Sequence, residues 1–257
     1  MSIMKKDSIF HTEAAEGIFQ LSSARDGLSR EVGKASGNSY LVTGESSAVL
    51  IDLALKEKEL YSYACALAGK PVMTVLTHAH VDHIYNIESL KEVTVHPGDE
   101  ELLRDGARFQ RPVRRCPVLH YVRGGDTIDL GGRILDVIHI PGHTDGSIML
   151  YDRRTGILLS GDTVTRRLLY GMHTFVPLEE FCESLKALKN FEISRVYSCH
   201  DRCALPASQA EHMSELIRKK DTLEHKEQRL PMAGKFVTYT NSTEDKLDYL
   251  SMAVMIR

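Results

Sequence analysis

The chain lacks the features that mark membrane-spanning, secreted and nucleic-acid-binding proteins. No apolar stretch approaches the roughly 20 residues that a membrane-spanning helix needs, and residues 1–7 lack the long apolar core of a secretory signal. A net charge of −3 provides no excess of positive charge for nucleic acid or a membrane surface. The sequence therefore predicts a cytoplasmic protein without a nucleic-acid or membrane partner.

Cysteine pairs and repeats are missing as well. The chain has five cysteines, none in a CxxC pair, and an odd number suits a reducing compartment. There is no internal repeat and no low-complexity segment. At 257 residues the chain can bury one sizeable core, which is typical of a single enzyme domain.

Potential metal ligands follow four strand-like apolar segments, at residues 72–76, 134–138, 157–159 and 196–199. The first segment leads into the run Thr77-His78-Ala79-His80-Val81-Asp82-His83. Because strands of one sheet present their ends along one edge, we expect the four groups of ligands to converge. The converging side chains are His78, His80, Asp82, His83, His143, Asp162 and His200.

These seven ligands exceed the needs of one metal ion. A catalytic zinc takes about three protein ligands and keeps one position open. Two metals that share a carboxylate and a hydroxide would use all seven, so the number of ligands favours a dinuclear hydrolytic site.

Apolar periodicity predicts strands that alternate with helices, which indicates an α/β layer arrangement. Helical spacing covers residues 57–68, 84–90 and 178–188. Residues 207–228 resemble a charged amphipathic helix, followed by two strands at 235–239 and 249–256 and a polar turn around 241–245. These two strands either complete a sheet of the same domain or form a dimer contact. The predicted strands are 17–21, 39–43, 48–52, 72–77, 93–95, 127–130, 134–140, 147–152, 157–160 and 195–198.

Over residues 17–203 the chain resembles the metallo-β-lactamase-fold hydrolases, in the branch typified by glyoxalase II and the lactonases. The matching motifs are HxHxDH at His78–His83, GHT at 142–144, GDT at 161–163 and the final His200. The resemblance implies an α+β four-layer αββα sandwich, with two mixed β-sheets face to face and helices outside. It also implies a hydrolase domain at 1–205, with residues 206–257 as an extension packed on it.

The resemblance divides the ligands between two divalent ions, for which zinc is the first choice and iron or manganese are alternatives. His78, His80 and His143 would hold one metal, and Asp82, His83 and His200 the other. Asp162 would bridge the two. Asp82 would also orient the nucleophile or pass a proton to the leaving group.

The implied reaction is hydrolysis of a carboxylic ester, lactone or thioester by a metal-bridging hydroxide. The ligand set is not the three-histidine plus cysteine pattern of the true β-lactamases, so we expect no antibiotic-degrading role. A phosphodiesterase, or a non-hydrolytic di-metal redox or metal-binding protein, are the alternatives.

The segment from Arg104 to Arg123 contains six arginines and a single acidic residue. This excess of positive charge suggests a small, anionic substrate. The alternative is a solvated basic surface. His139 is expected to pack or to bond the backbone. Most of the histidines without a family position, His173 among them, are expected to be ordinary surface or loop residues. We expect Cys199 to be buried behind the site. The candidate substrate residues are Arg114, Arg115, Arg166, Arg167 and Tyr170.

Overall fold

Two large β-sheets form the centre of the computed structural model, which describes residues 8–23, 37–107, 110–230, 234–241 and 250–256. In the first sheet the strands follow chain order, antiparallel from β1 to β4 and parallel from β4 to β7. Its strands are β1 (Ile9–Ala15), β2 (Ile18–Ser23), β3 (Asn38–Thr43), β4 (Ala48–Ile51), β5 (Val72–Val75), β6 (Glu92–Val95) and β7 (Val118–Tyr121).

The second sheet has six strands, and a third sheet has four. The second consists of β8 (Thr127–Asp129), β9 (Ile134–His139), β10 (Ile148–Asp152), β11 (Ile157–Gly161), β13 (Arg195–Ser198) and β14 (Leu205–Pro206), in the order β14-β13-β11-β10-β9-β8. The third consists of β12 (Arg167–Tyr170), β15 (Glu224–Leu230), β16 (Gly234–Thr240) and β17 (Ser251–Met255), in the order β12-β17-β16-β15.

The two large sheets pack face to face because the side chains on their facing surfaces are apolar. On β4, Val49 and Ile51 enter the core between the sheets, whereas Leu50 points to the opposite face. On β10, Leu150 enters the same central core and Tyr151 faces outward. Each large sheet therefore has two apolar faces, and the outer one needs a cover.

Helices cover the outer faces. Those against the first sheet are α1 (Leu60–Ala68) and α2 (Glu100–Arg104), and those against the second are α3 (Leu178–Ser184) and α4 (Gln209–Arg218). None of the described helices is long and apolar enough to span a membrane. The layers run helix, sheet, sheet, helix, which confirms the predicted αββα sandwich.

All ten predicted strands are present, but two predicted helices differ. Residues 84–90 form only a 3₁₀ turn at Ile87–Ser89, because Asn86 has a left-handed φ of 61° that interrupts a helix. The predicted helix 207–228 ends at Arg218, and Glu224–Leu230 is a strand paired with β16. Pairing with β16 determines the conformation of residues 224–230, although their sequence pattern is typical of a helix.

The C-terminal strands join the rest of the chain through β17, which pairs in parallel with β12. The predicted pair of strands is present as β16 and β17, which run antiparallel. Most of the predicted turn between them lies outside the described residues. The division into domains at residue 205 and a homodimer remain predictions.

Candidate metal centre

The seven predicted ligands lie where four strands end. Residues 78–83 follow β5, and His143 comes four residues after β9. Asp162 follows β11 directly, and His200 follows β13 after one intervening residue. All four are C-terminal strand ends, so the loops that leave them meet at one edge of the sandwich.

Three imidazoles form what we call the histidine cluster: His78, His80 and His143. The Nε2 atom of His78 lies 3.1 Å from Nδ1 of His80 and 3.1 Å from Nε2 of His143. Two nitrogens bound to one tetrahedral zinc at about 2.0–2.1 Å would be roughly 3.3 Å apart. The cluster therefore has the spacing of three ligands around one ion.

Each ring of the histidine cluster is held through its other nitrogen. Nδ1 of His143 donates to the carbonyl of Leu169 at 2.7 Å, and Nδ1 of His78 lies 3.1 Å from the hydroxyl of Thr77. Nε2 of His80 is 2.8 Å from Nδ1 of His173. Such partners fix the orientation of a ligating histidine, so the rings are held in place before any metal binds.

The other four ligands form the carboxylate cluster: Asp82, His83, Asp162 and His200. Asp162 Oδ1 lies 3.4 Å from Nε2 of His83, and its Oδ2 lies 3.2 Å from Nε2 of His200. The same Oδ2 is 3.6 Å from Nε2 of His143 in the histidine cluster. Asp82 closes the group through its Oδ2, 3.3 Å from Nε2 of His200. Asp162 thus approaches imidazoles of both clusters.

Asp52, at the end of β4, is a positioning residue that the sequence motifs did not reveal. Its Oδ2 accepts a hydrogen bond from Nδ1 of His83 at 2.9 Å. The Thr77 N–H and hydroxyl donate to its two oxygens, each at 2.7 Å. Asp52 has a φ of 61°, a conformation that costs a non-glycine residue energy and that often marks functional sites. Its carboxylate turns Nε2 of His83 toward Asp162.

Asp99 is the second buried carboxylate that motif reading missed. It accepts hydrogen bonds from the Ala79 N–H at 2.8 Å, the Thr144 hydroxyl at 2.9 Å and the Gly146 N–H at 2.8 Å. Ala79 lies between His78 and His80, and Thr144 follows His143. Asp99 therefore ties together the two loops that carry the histidine cluster.

The two clusters differ in their charge. Burial lowers the pKa of all three imidazoles in the histidine cluster, so they remain neutral and keep a lone pair for a metal. Burial also opposes charging of His83 and His200, but Asp162 and Cys199 beside them raise the pKa of both well above the usual range. Protons and a cation therefore compete for the carboxylate cluster.

Buried atoms without a hydrogen-bond partner also show that the donor set suits a cation. Among the described residues, Nε2 of His83 and Oδ1 of Asp162 are buried without a hydrogen-bond partner. A buried polar atom left unpaired costs about 1–3 kcal/mol. A divalent ion between the two atoms would satisfy both, so the donor set fits a metal.

Cys199 lies close to the carboxylate cluster. Adjacent side chains of a strand point to opposite faces, so its position directly before His200 predicts a larger separation. It is buried, and its sulfur is within 4.8 Å of ligand atoms of His83, Asp162 and His200. Its thiol donates to the carbonyl of Asn38 at 3.3 Å. This bond occupies the thiol proton, which is consistent with the predicted role in burial.

The predicted substrate residues are dispersed. Arg114 and Arg115 are exposed before β7, and Arg108 of the same arginine-rich segment lies outside the described residues. Arg166 lines a cavity of about 570 Å³ between α4 and the third sheet, and Arg167 begins β12. Tyr170 is buried in the core with its hydroxyl donating to the Val176 carbonyl, which removes it from a substrate-facing position.

Two histidines outside the set of seven ligands, His139 and His173, differ in their contacts. His139 donates from Nε2 to the Asp145 carbonyl at 2.9 Å and stacks on His96, so it bonds the backbone as predicted. His173 is a half-buried loop residue that also contacts His80. It belongs to a loop 30 residues beyond His143, and no spacing motif indicates that contact.

Comparison with known proteins connects this geometry to a family. The model of the metallo-beta-lactamase superfamily matches residues 32–200. Acyl-coenzyme A thioesterase MBLAC2 of Gallus gallus is 34% identical over 158 residues, which cover 49% of this chain and 57% of that protein. The probable metallo-hydrolase YqgX of Bacillus subtilis is 26% identical over 144 residues, or 52% of this chain and 68% of its own length. The match thus spans little more than half of the thioesterase.

Solved structures show the same fold. A metallo-beta-lactamase from Pontibacter korlensis has a TM-score of 0.65 at 20% identity, covering 82% of this chain and 99% of its own. One from Erythrobacter litoralis has a TM-score of 0.60 at 17% identity, covering 85% and 100%. The matched family model spans more than half of the 257 residues and includes all seven ligands. The chain belongs to the metallo-beta-lactamase superfamily.

Proposed function

We propose that this protein is a dinuclear metal-dependent hydrolase that cleaves a carboxylic thioester or a related ester. The observation that carries the proposal is the position of Asp162, whose oxygens lie 3.2–3.6 Å from nitrogens of both clusters. A carboxylate so placed can be shared by two ions. One metal ion could not bind all seven side chains, because a catalytic zinc takes about three protein ligands.

The two clusters would hold two divalent ions, with zinc as the first choice. The metals would supply a hydroxide at neutral pH and polarise the carbonyl oxygen of the substrate. The histidine cluster offers three neutral nitrogens, as zinc prefers. The carboxylate cluster offers oxygens as well, which iron and manganese also accept.

Asp82 is the ligand most open to substrate, with 43% of its side chain exposed. Burial opposes its ionisation, but its hydrogen bond with His200 holds the pKa of this carboxyl well below the usual range. So weak a base orients a water molecule by accepting a hydrogen bond, and does not hold the proton at neutral pH. We assign Asp82 to positioning the attacking water next to the carboxylate cluster.

The thioester is favoured over other bonds by the curated relatives, which are named acyl-coenzyme A thioesterases in Gallus gallus and Homo sapiens. The arginines of the sequence-based anionic-substrate hypothesis are not gathered at the site. Of the four candidate arginines, Arg166 lines the cavity of about 570 Å³ between α4 and the third sheet. Recognition of an anionic group therefore rests on Arg166 in this proposal.

The test combines metal content with a substrate panel. Protein purified without added metal is measured by plasma mass spectrometry and assayed on thioesters, lactones, aryl esters and bis-p-nitrophenyl phosphate. Two equivalents of metal with fastest thioester turnover support the proposal. Turnover of the phosphate diester alone would identify a phosphodiesterase, and two irons with oxygen-dependent chemistry would identify a redox protein.

A matched pair of variants tests the shared carboxylate. Asp162→Asn keeps the shape and removes the charge, so it should cost at least about 100-fold in activity and one equivalent of metal. Asp136→Asn removes a carboxylate that pairs with Arg153 at the surface, and should change neither. Asp162→Asn protein with two equivalents of metal and full turnover would contradict the bridging assignment.

A further inference from the structure

A second cavity adjoins the metal centre, on the side of His80. It has a volume of about 510 Å³ and is formed by α2 and the loop after it, by the loop after β12, and by the end of β17. A volume of about 300–1,000 Å³ is typical of small-molecule sites. We call it the His173 cavity, because His173 lies between it and the metal ligands.

The His173 cavity is attached to both loops of the histidine cluster. His173 Nδ1 is 2.8 Å from Nε2 of His80. The His173 carbonyl accepts the N–H of Asp145 at 3.2 Å, and Thr144 forms a β-bridge with His173. A molecule whose reacting bond lies at the metal centre therefore has this cavity within reach.

The lining is mainly apolar. Leu102, Ala107, Met172, Phe175 and Met255 supply its hydrocarbon surface. Phe175 is 83% exposed, a costly position for a large aromatic ring that a bound apolar group would cover. Met255 belongs to the third sheet, so the C-terminal strands contribute directly to this cavity.

The polar lining excludes an anionic occupant. Glu101 and Asp145 line the cavity, and among its described lining residues none is lysine or arginine. The carboxylate of Asp145 accepts the hydroxyl of Thr174 at 2.6 Å. Two acids without a cation repel phosphate or carboxylate groups, whereas a neutral hydrocarbon chain meets no such penalty.

We propose that the His173 cavity binds the hydrocarbon chain of an acyl substrate, with the carbonyl carbon at the metal centre and the chain leading past His173 toward Phe175 and Met255. The inference rests on the proposed function, because it names the acyl part of the same substrate. It predicts a preference for medium or long unbranched acyl groups over acetyl.

Binding can be measured without turnover, because the natural chain has no tryptophan. Phe175→Trp places a single fluorophore at the rim of the cavity. The probes are S-alkyl thioethers of N-acetylcysteamine with butyl, octyl and dodecyl chains, which are neutral and lack a scissile carbonyl. We expect the fluorescence to change on titration, with affinity rising by up to about fourfold for each methylene buried. Equal affinity for all three chains would overturn the proposal.

Phe175→Asp and Val118→Asp are a matched pair, since both residues are exposed and neither change threatens the core. Val118 is 62% exposed on β7 and does not line the cavity. On the metal-loaded enzyme, we expect Phe175→Asp to lower the ratio of kcat/KM for dodecanoyl over acetyl thioester at least tenfold. Val118→Asp should keep the wild-type ratio. An unchanged ratio in Phe175→Asp would overturn the acyl site.

The two proposals fail in different ways. If the thioethers bind with a clear dependence on chain length but no thioester is hydrolysed, the proposed function fails and the apolar site stands. If thioesters of all lengths are hydrolysed equally, by wild type and by Phe175→Asp, the proposed function stands and the acyl site is overturned.

Discussion

Replacing Asp52 with asparagine should reverse the tautomer of His83. The carboxylate accepts the Nδ1 proton of His83 at 2.9 Å, so Nε2 is the nitrogen that loses its proton to a metal and directs a lone pair toward Asp162. An asparagine amide in the same place can direct an N–H at Nδ1, so the ring proton moves to Nε2. A protonated Nε2 cannot bind a metal. Asparagine tolerates the φ of 61° at position 52, so the backbone is not disturbed.

The size of the effect follows from the role of Asp52. Removing a carboxylate that orients a metal-binding histidine costs about 10- to 100-fold in affinity or activity, or roughly 1.4–2.7 kcal/mol. Asp52 is 2% exposed, so water cannot take over its hydrogen bonds. Its two bonds with Thr77 also weaken, and the upper part of this range is therefore expected.

The assay is metal retention during dialysis against a graded chelator. We expect Asp52→Asn to lose one equivalent at a chelator concentration 10 to 100 times lower than wild type. The equivalent held by the histidine cluster should be lost much closer to the wild-type concentration, because Asp52 reaches that cluster only through the Thr77 hydroxyl beside His78. Identical loss curves for Asp52→Asn and wild type would refute the assigned role of Asp52.

Two further predictions concern stability. Gly161→Ala should lower the melting temperature more than Gly69→Ala, because both glycines have positive φ but only the new Cβ at 161 would collide with the Thr77 side chain. Equal losses by calorimetry would contradict this contact. Burial raises the pKa of Asp99 to about 6, above the unfolded value of about 3.9. The stability that protonated Asp99 contributes is present below about pH 4 and is lost as the pH rises through 6. The difference in unfolding free energy between wild type and Asp99→Asn should therefore change by up to roughly 3 kcal/mol from pH 4 to 7, and denaturant titration of metal-free protein showing no such change would disprove it.

The ligand motifs were accessible from the sequence because each consists of residues close together in the chain. The run from His78 to His83 and the three later ligands all follow apolar strands, and period-2 apolarity is a local signal. The predicted strands and the αββα layers are confirmed for the same reason. Convergence of the ligands follows from strand ends that share one edge of the sandwich.

Local sequence patterns gave the wrong secondary structure where pairing with another strand determines the conformation. Residues 224–228 have the charge and spacing of a helix, yet they form β15 because β16 supplies a partner strand. The strand that the C-terminal pair joins was not predicted, because β12 pairs with β17, a strand more than 80 residues later. No periodicity within either segment indicates that pairing.

The sequence by itself determined which side chains can bind metal and which strands carry them. Both follow from short segments, because ligand chemistry and apolar alternation are local properties. Only the tertiary structure decided how those side chains are held. The contacts of His83 with Asp52, Ala79 with Asp99 and His80 with His173 join residues 31, 20 and 93 positions apart. Hydrogen bonds depend on distances and angles in three dimensions, and these exist only once the sheets have packed.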